Sequence, residues 1–211
     1  MASFASEVSV TQSDSFFSRF GRFGGNMKLF QQLLSNDEHM KAWVQSLLVS
    51  APVEHLAVPI SYQLPPYAEL NGTTFDWAGD LFGDQHTWEE HRSVRGLVDR
   101  TPGKRELLVK QFTKEEIEQM GGRTSDNVIT WAQANGYRVA VREELVSLGQ
   151  AHPNLQRQFL IVALGSSTLY DGRRCVAVLH RVGVGRYLDF DWFAHRWQAR
   201  FRFLLVRLVR K

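Results

Sequence analysis

Cysteine is almost missing from this chain. A single thiol, Cys175, occurs in 211 residues, which excludes an internal disulfide and any zinc cage built from several cysteines. A lone thiol of this kind reads as a buried side chain in a reducing compartment. Long hydrophobic runs are missing too. No stretch reaches the ~18 apolar residues that a bilayer span requires, so no membrane span is expected. The opening residues, Met1-Ala2-Ser3-Phe4-Ala5-Ser6-Glu7, carry neither the basic stretch nor the apolar core of a secretion signal, and a cytoplasmic location follows as the expectation. In that setting Asn71-Gly72-Thr73 reads as a turn and not as a glycosylation acceptor.

The usual signatures of catalysis are also absent. There is no Gly-rich lysine loop for phosphate and no Gly-x-Ser-x-Gly elbow. Gly183-Val184-Gly185 lacks a third glycine and a following helix, so it reads as a hairpin turn. His86-Thr87-Trp88-Glu89-Glu90-His91 comes near a zinc motif, but a spacing of five does not put both imidazoles on one helix face. It reads as a solvated loop or helix face. The sequence therefore points to no catalytic residue, no metal ligand and no cofactor.

What is present is an ordinary globular balance, 44% hydrophobic and 22% charged, with an uneven distribution of charge. Residues 151–211 hold ten Arg and one Lys against Asp171, Asp189 and Asp191, a balance of +8. The preceding 150 residues hold the other 14 bases and 19 acids, a balance of −5. Such a split suggests that the C-terminal part meets something anionic, or that the two halves attract each other. Arg is nearly the only cation there, which favours planar, bidentate contacts.

Along the chain, residues 1–25 are rich in Ser and Gly and read as a flexible arm. Apolar residues at helical spacing predict one kinked helix or two over 26–50. Leu56-Ala57-Val58-Pro59-Ile60-Ser61-Tyr62 predicts a strand, with Pro59 arguing for an edge or a bulge. Phe75, Trp77, Leu81 and Phe82 read as rings packed beneath a loop. A strand is expected over 105–112, followed by helices begun by Thr113 and by Ser125-Asp126. A third helix is expected over 142–151, ended by His152-Pro153. The remainder reads as β structure: a fully buried strand over 159–164, then strands over 175–180, 186–190 and 201–209. The fold class is α+β, divided into the arm, a helical and β region over 26–115, and a mixed domain over 116–211.

One segment is unusually dense in chemistry. Tyr187, Asp189, Asp191, Trp192, Phe193, His195, Arg196, Trp197, Gln198 and Arg200 fall within fourteen residues. Trp, Tyr and Arg dominate binding hot spots because they bury much area yet keep a polar handle. Read as a set, these ten residues form a ligand-binding surface; read singly, Trp192 and Trp197 are each expected in the core. Asp189 and Asp191 share a strand face like a glycosidase carboxylate pair. Nearby Arg186 and Arg196 would hold both ionised, which leaves no acid to protonate a leaving group.

Gly136-Tyr137-Arg138-Val139-Ala140-Val141-Arg142-Glu143-Glu144-Leu145 opens as a helix signal. It resembles the Gly-Tyr/Trp-Arg-Leu-Pro-Thr-x-x-Glu-Trp/Leu segment of formylglycine-generating-enzyme-like domains, which have a C-type-lectin-like fold. Leu164-Gly165-Ser166-Ser167 and Phe201-Arg202-Phe203-Leu204-Leu205-Val206-Arg207 stand where that family has a Ser/Gly-rich strand and a closing Phe-Arg-x-x-Arg strand. Gln156-Arg157-Gln158-Phe159-Leu160-Ile161-Val162-Ala163-Leu164-Gly165-Ser166 is similar to a segment of a group of bacterial proteins that bring no known activity. The family's Pro-Thr is replaced by Ala140-Val141, and its cysteine pair and iron-binding pattern have no counterpart. The resemblance thus implies the non-catalytic branch: a C-type-lectin-like domain of short antiparallel strands that displays a variable binding face, as in proteins diversified by retroelements. On that analogy the face is 187–200 and the partner a protein or other macromolecule. The second reading is a nucleic-acid or other polyanion binder, drawn from the +8 balance and from Arg interleaved with rings that can stack on bases.

Overall fold

The computed structural model describes residues 55–208, which lie within a compact unit formed by Val53–Lys211. The arm expected over 1–25 and the helices expected over 26–50 lie outside the described residues. In chain order the elements are β1 (His55–Ile60), α1 (Tyr67–Leu70), β2 (Trp77–Ala78), a 3-10 turn (Asp80–Phe82), β3 (Glu89–Glu90), β4 (Gly103–Lys110), α2 (Lys114–Gln119) and α3 (Ser125–Ala134). They continue with β5 (Tyr137–Val139), α4 (Arg142–Ala151), α5 (Leu155–Gln158), β6 (Leu160–Tyr170), β7 (Arg173–Val182), β8 (Gly185–Trp192) and β9 (Phe201–Arg207). Helices packed on a mixed sheet make this an α+β fold.

The main sheet runs β1-β4-β9-β6-β7-β8-β2, with β5 also on β9 and β3 on β6. Neighbours are antiparallel except β6 with β9 and β2 with β8. β1 meets only β4 among the described residues, and its exposed Pro59 costs no ladder bond on that edge. Both faces of the sheet are covered, which explains strands that read as continuous apolar runs. Leu204 and Val206 of β9 face one core with Ile161, Leu179 and the α4 residues Leu145 and Leu148. Phe201, Phe203 and Leu205 face the other core with Val162, Val178 and the α3 residues Val128 and Ile129. Each such side chain contributes ~1.5–3 kcal/mol by leaving water.

Two elements differ from their sequence reading. Tyr137–Val139, within the Gly136–Leu145 segment read as a helix signal, is a short strand on β9, and the helix begins at Arg142, as expected for 142–151. The reason is a buried network. Arg138 is 3% exposed and binds both oxygens of Glu144, at 2.8 and 2.6 Å, while the Val141 amide and the Tyr62 hydroxyl donate to the same carboxylate. Extending 137–139 lets Arg138 reach Glu144 on the first turn of α4. The boundary expected between 115 and 116 is also not a boundary, because β4 pairs with β9 and β3 with β6 across it.

Strand β6 is irregular where this matters most. Ala163 faces Ala177, but Thr168 faces Cys175, so β6 takes five steps while β7 takes two. The extra residues turn to other partners. Gly165 donates from its amide to the Ala140 carbonyl at 2.7 Å and accepts from the His91 amide at 2.8 Å. Ser166 Oγ accepts from the Arg142 amide at 2.8 Å, capping a helix whose preceding residue, Val141, has no polar side chain. The Gly-Ser-Ser run is the joint that brings β3, α4 and β6 together.

Candidate functional site

The bulge in β6 and the strand ends beyond it border an open concavity. Its first lobe, about 830 Å³, is walled by residues 85–95, by Asp126 at the start of α3, and by Ser167, Thr168, Arg174 and Phe193. Its second lobe, about 820 Å³, lies between the β6–β7 turn and residues 192–196. The two share Leu169, Arg174 and Phe193, so they form one groove around the end of the sheet.

The scaffold beneath the second lobe is fixed by one serine. Ser125 lies at the start of α3 and is 2% exposed. Its hydroxyl donates to the Phe193 carbonyl and accepts from the Trp197 indole N–H at 2.9 Å. Trp197 is 3% exposed and packs edge-on against Phe201 and Phe203, with centroids 5.0 and 5.8 Å away. The Phe193 amide donates to the Arg174 carbonyl at 2.9 Å, which ties the loop to β7. Backbone between buried anchors is thereby held in place while its other side chains face the groove.

Those side chains are rings and guanidinium groups. Arg173 lies over Trp192 and Arg174 over Phe193, each 5.2 Å from the ring centroid. Tyr170 stacks near Trp192 at 6.4 Å. Across the first lobe, His91 stacks on Phe193 at 5.6 Å with 19° between planes. The Ser93 amide donates to His91 Nδ1, which places the imidazole proton on Nε2. Burial pushes the His91 pKa below its ordinary value, and the neighbouring Arg174 and Arg92 charges push it further. His91 is therefore a neutral ring in a positive surrounding.

Of the ten residues read as a binding surface, the groove contains Trp192, Phe193, His195 and Arg196. Trp197 is instead a core anchor, and the reason is its indole bond to buried Ser125. Tyr187, Asp189 and Asp191 alternate with Leu188 and Phe190 along β8, so they point to the opposite face from Trp192. Tyr187 lies against Trp77 and His180, at 5.6 and 5.5 Å. Gln198 and Arg200 are exposed beyond the groove. The two aspartates are partnered by histidines and not by Arg186 or Arg196: Asp189 bonds His180 at 3.1 Å and Asp191 lies 3.8 Å from His195. Arg186 turns inward to the Gly149 carbonyl and the Phe75 ring.

Sequence reasoning missed Leu169, Arg173, Arg174, Arg92 and Arg95. A signal existed for one pair, since Arg173-Arg174 follows the Asp171-Gly172 turn and so must sit at a hairpin end. His86 and His91, weighed only as metal ligands, line the first lobe. Among the described residues no three His, Cys, Asp or Glu converge as a metal set, and no helix is long and apolar enough to cross a membrane. Comparison with family models, curated proteins and solved structures finds no match to this chain.

Proposed function

We propose that the chain is a binding module that presents the groove face, centred on Arg173, Arg174, Trp192, His195 and Arg196, to a macromolecular ligand. In this reading the domain belongs with the non-catalytic, C-type-lectin-like ligand-display proteins that its C-terminal motifs resemble, including the variable proteins diversified by retroelements, and it acts in the cytoplasm of a bacterium. One observation carries the reading: the side chains that hold the loop and those that face the groove are different side chains. Trp197, Ser125 and the Phe193 backbone secure the chain, while Arg173, Arg174 and Arg196 are exposed. Separating scaffold from surface is what lets a binding face vary without unfolding its support.

The test needs no ligand. A library randomised at Arg173, Arg174, Trp192, His195 and Arg196 is sorted for protease resistance beside one randomised at Ser125, Trp197 and Phe203. Broad tolerance in the first, within about 0.5 kcal/mol for most single changes, and strong selection in the second are expected. Equal intolerance in both would make the groove residues part of the fold and end the display reading.

A further inference from the structure

We infer that the ligand of this groove is a single-stranded nucleic acid, an assignment that rests on the groove being the binding face. Its basis is which arginines lack acids. Elsewhere on the described surface Arg100, Arg105, Arg142 and Arg207 each have a carboxylate within 2.7 to 3.2 Å, and Arg157, Arg181 and Arg200, which have none among the described residues, lie outside both lobes. Arg92, Arg95, Arg173, Arg174 and Arg196 also have no carboxylate within 4.0 Å among the described residues, but these five gather in the one groove. Concentrating uncompensated charge in a concavity raises its potential and draws anions to it.

Charge alone would suit any anion; the rings narrow the choice. Trp192, Phe193 and Tyr170 lie among these cations, and Arg173 and Arg174 lay their planar heads over two of the rings. A flexible strand satisfies both features, with phosphates on guanidinium groups and bases stacked on aromatic or guanidinium faces. A duplex keeps its base faces inside, and an acidic peptide offers charge without planes to stack. The shared Leu169, Arg174 and Phe193 make the two lobes a continuous track, which fits a linear polymer. Glu89, Asp126 and Glu90, the last paired with Arg100, lie in the first lobe only, where they repel phosphate but can accept from the exocyclic amines of bases. The phosphate path therefore follows the second lobe and Arg174.

Fluorescence anisotropy of a labelled twelve-residue oligothymidylate, with the full chain and stepped salt, tests this. The double variant Arg173→Ala/Arg174→Ala should bind more weakly and lower the magnitude of the log–log salt slope by about 1.4, from about 0.7 per lost phosphate contact. Arg157→Ala/Arg181→Ala, the same charge removed from exposed sites outside the groove, should leave the slope unchanged. Trp192→Leu should lower affinity about 5- to 150-fold through lost stacking. In the proton spectrum the oligonucleotide should raise the His91 pKa as its phosphates offset Arg174 and Arg92. Equal effects of the two double variants, an unmoved His91, or no binding at low salt would overturn the assignment. Competition by polyglutamate or by duplex as strong as by unlabelled oligothymidylate would overturn it as well. If the variants keep the wild-type melt while oligonucleotide binding is absent, the nucleic-acid assignment falls and the display reading stands; loss of the fold in the randomised library is the separate result that ends the latter.

Discussion

Replacing Trp197 by Ala removes an indole that touches Phe201 and Phe203 and leaves the buried Ser125 hydroxyl without its donor. A loss of about 3–5 kcal/mol is expected in urea unfolding. Trp192→Ala, at a half-exposed ring, should cost less than about 1.5 kcal/mol, and the contrast between the two checks which indole is structural. A second prediction concerns acid. His91 has its pKa lowered from the ordinary 6.5 in the folded chain, so the unfolded chain takes up a proton first as pH falls. Stability is then full above pH 6.5 and is lost as pH falls from there toward the lowered folded value, where protonation also breaks the Ser93 bond. Denaturation between pH 7.5 and 5 should show this loss, and His91→Gln should reduce it. At this scale the sequence was only half legible. Spacing identifies a cluster of rings over 187–200, but nothing in it says that β8 ends at Trp192 and that Trp197 reaches a serine 72 positions away.

Gly165 shows what an element requires of one position. A methyl group there would stand 2.6 Å from the Ala140 carbonyl oxygen, a backbone atom held by its own bond to Gly165. Gly165→Ala should therefore force β6 away from the start of α4 and cost roughly 1–3 kcal/mol, read as a lower melting temperature. Because Gly165 also receives the His91 amide, the same change should displace the His91 ring resonance. The neighbouring Arg138–Glu144 pair belongs to the same joint. The Tyr62 hydroxyl donates to Glu144, and burial, reinforced by that carboxylate, pushes the Tyr62 pKa up to about 12. Strands β4, β6, β7 and β9 and helices α3 and α4 were readable from periodicity and capping residues, although the cap of α3 is Thr124, whose hydroxyl accepts from the Asn127 amide, and not Ser125 or Asp126. The strand at 137–139 was not, because three residues carry too little pattern and what extends them is an ion pair with the following helix.

Over the described residues, β9 is the strand that joins β1 and β4 to the rest of the sheet. It lies between β4 on one side and β6 and β5 on the other. Deleting residues from Phe201 onward should abolish the cooperative thermal transition, since two strand edges and both cores lose their shared member. Circular dichroism and amide dispersion would report it. The domain boundary read at 115/116 failed for this same reason: pairing across some hundred residues of separation leaves no local mark in composition. The charge split, by contrast, was legible at once, and it identified the half of the chain that holds Arg173, Arg174 and Arg196.

The position of β9 also sets an order of events during synthesis. A ribosome emits β4 and β6 before it reaches Phe201, so for a few seconds at 5–20 residues per second the nascent chain carries two open edges awaiting one insert. Any factor that shields those edges, or any pause that prolongs the wait, would decide how much of the product reaches its native state.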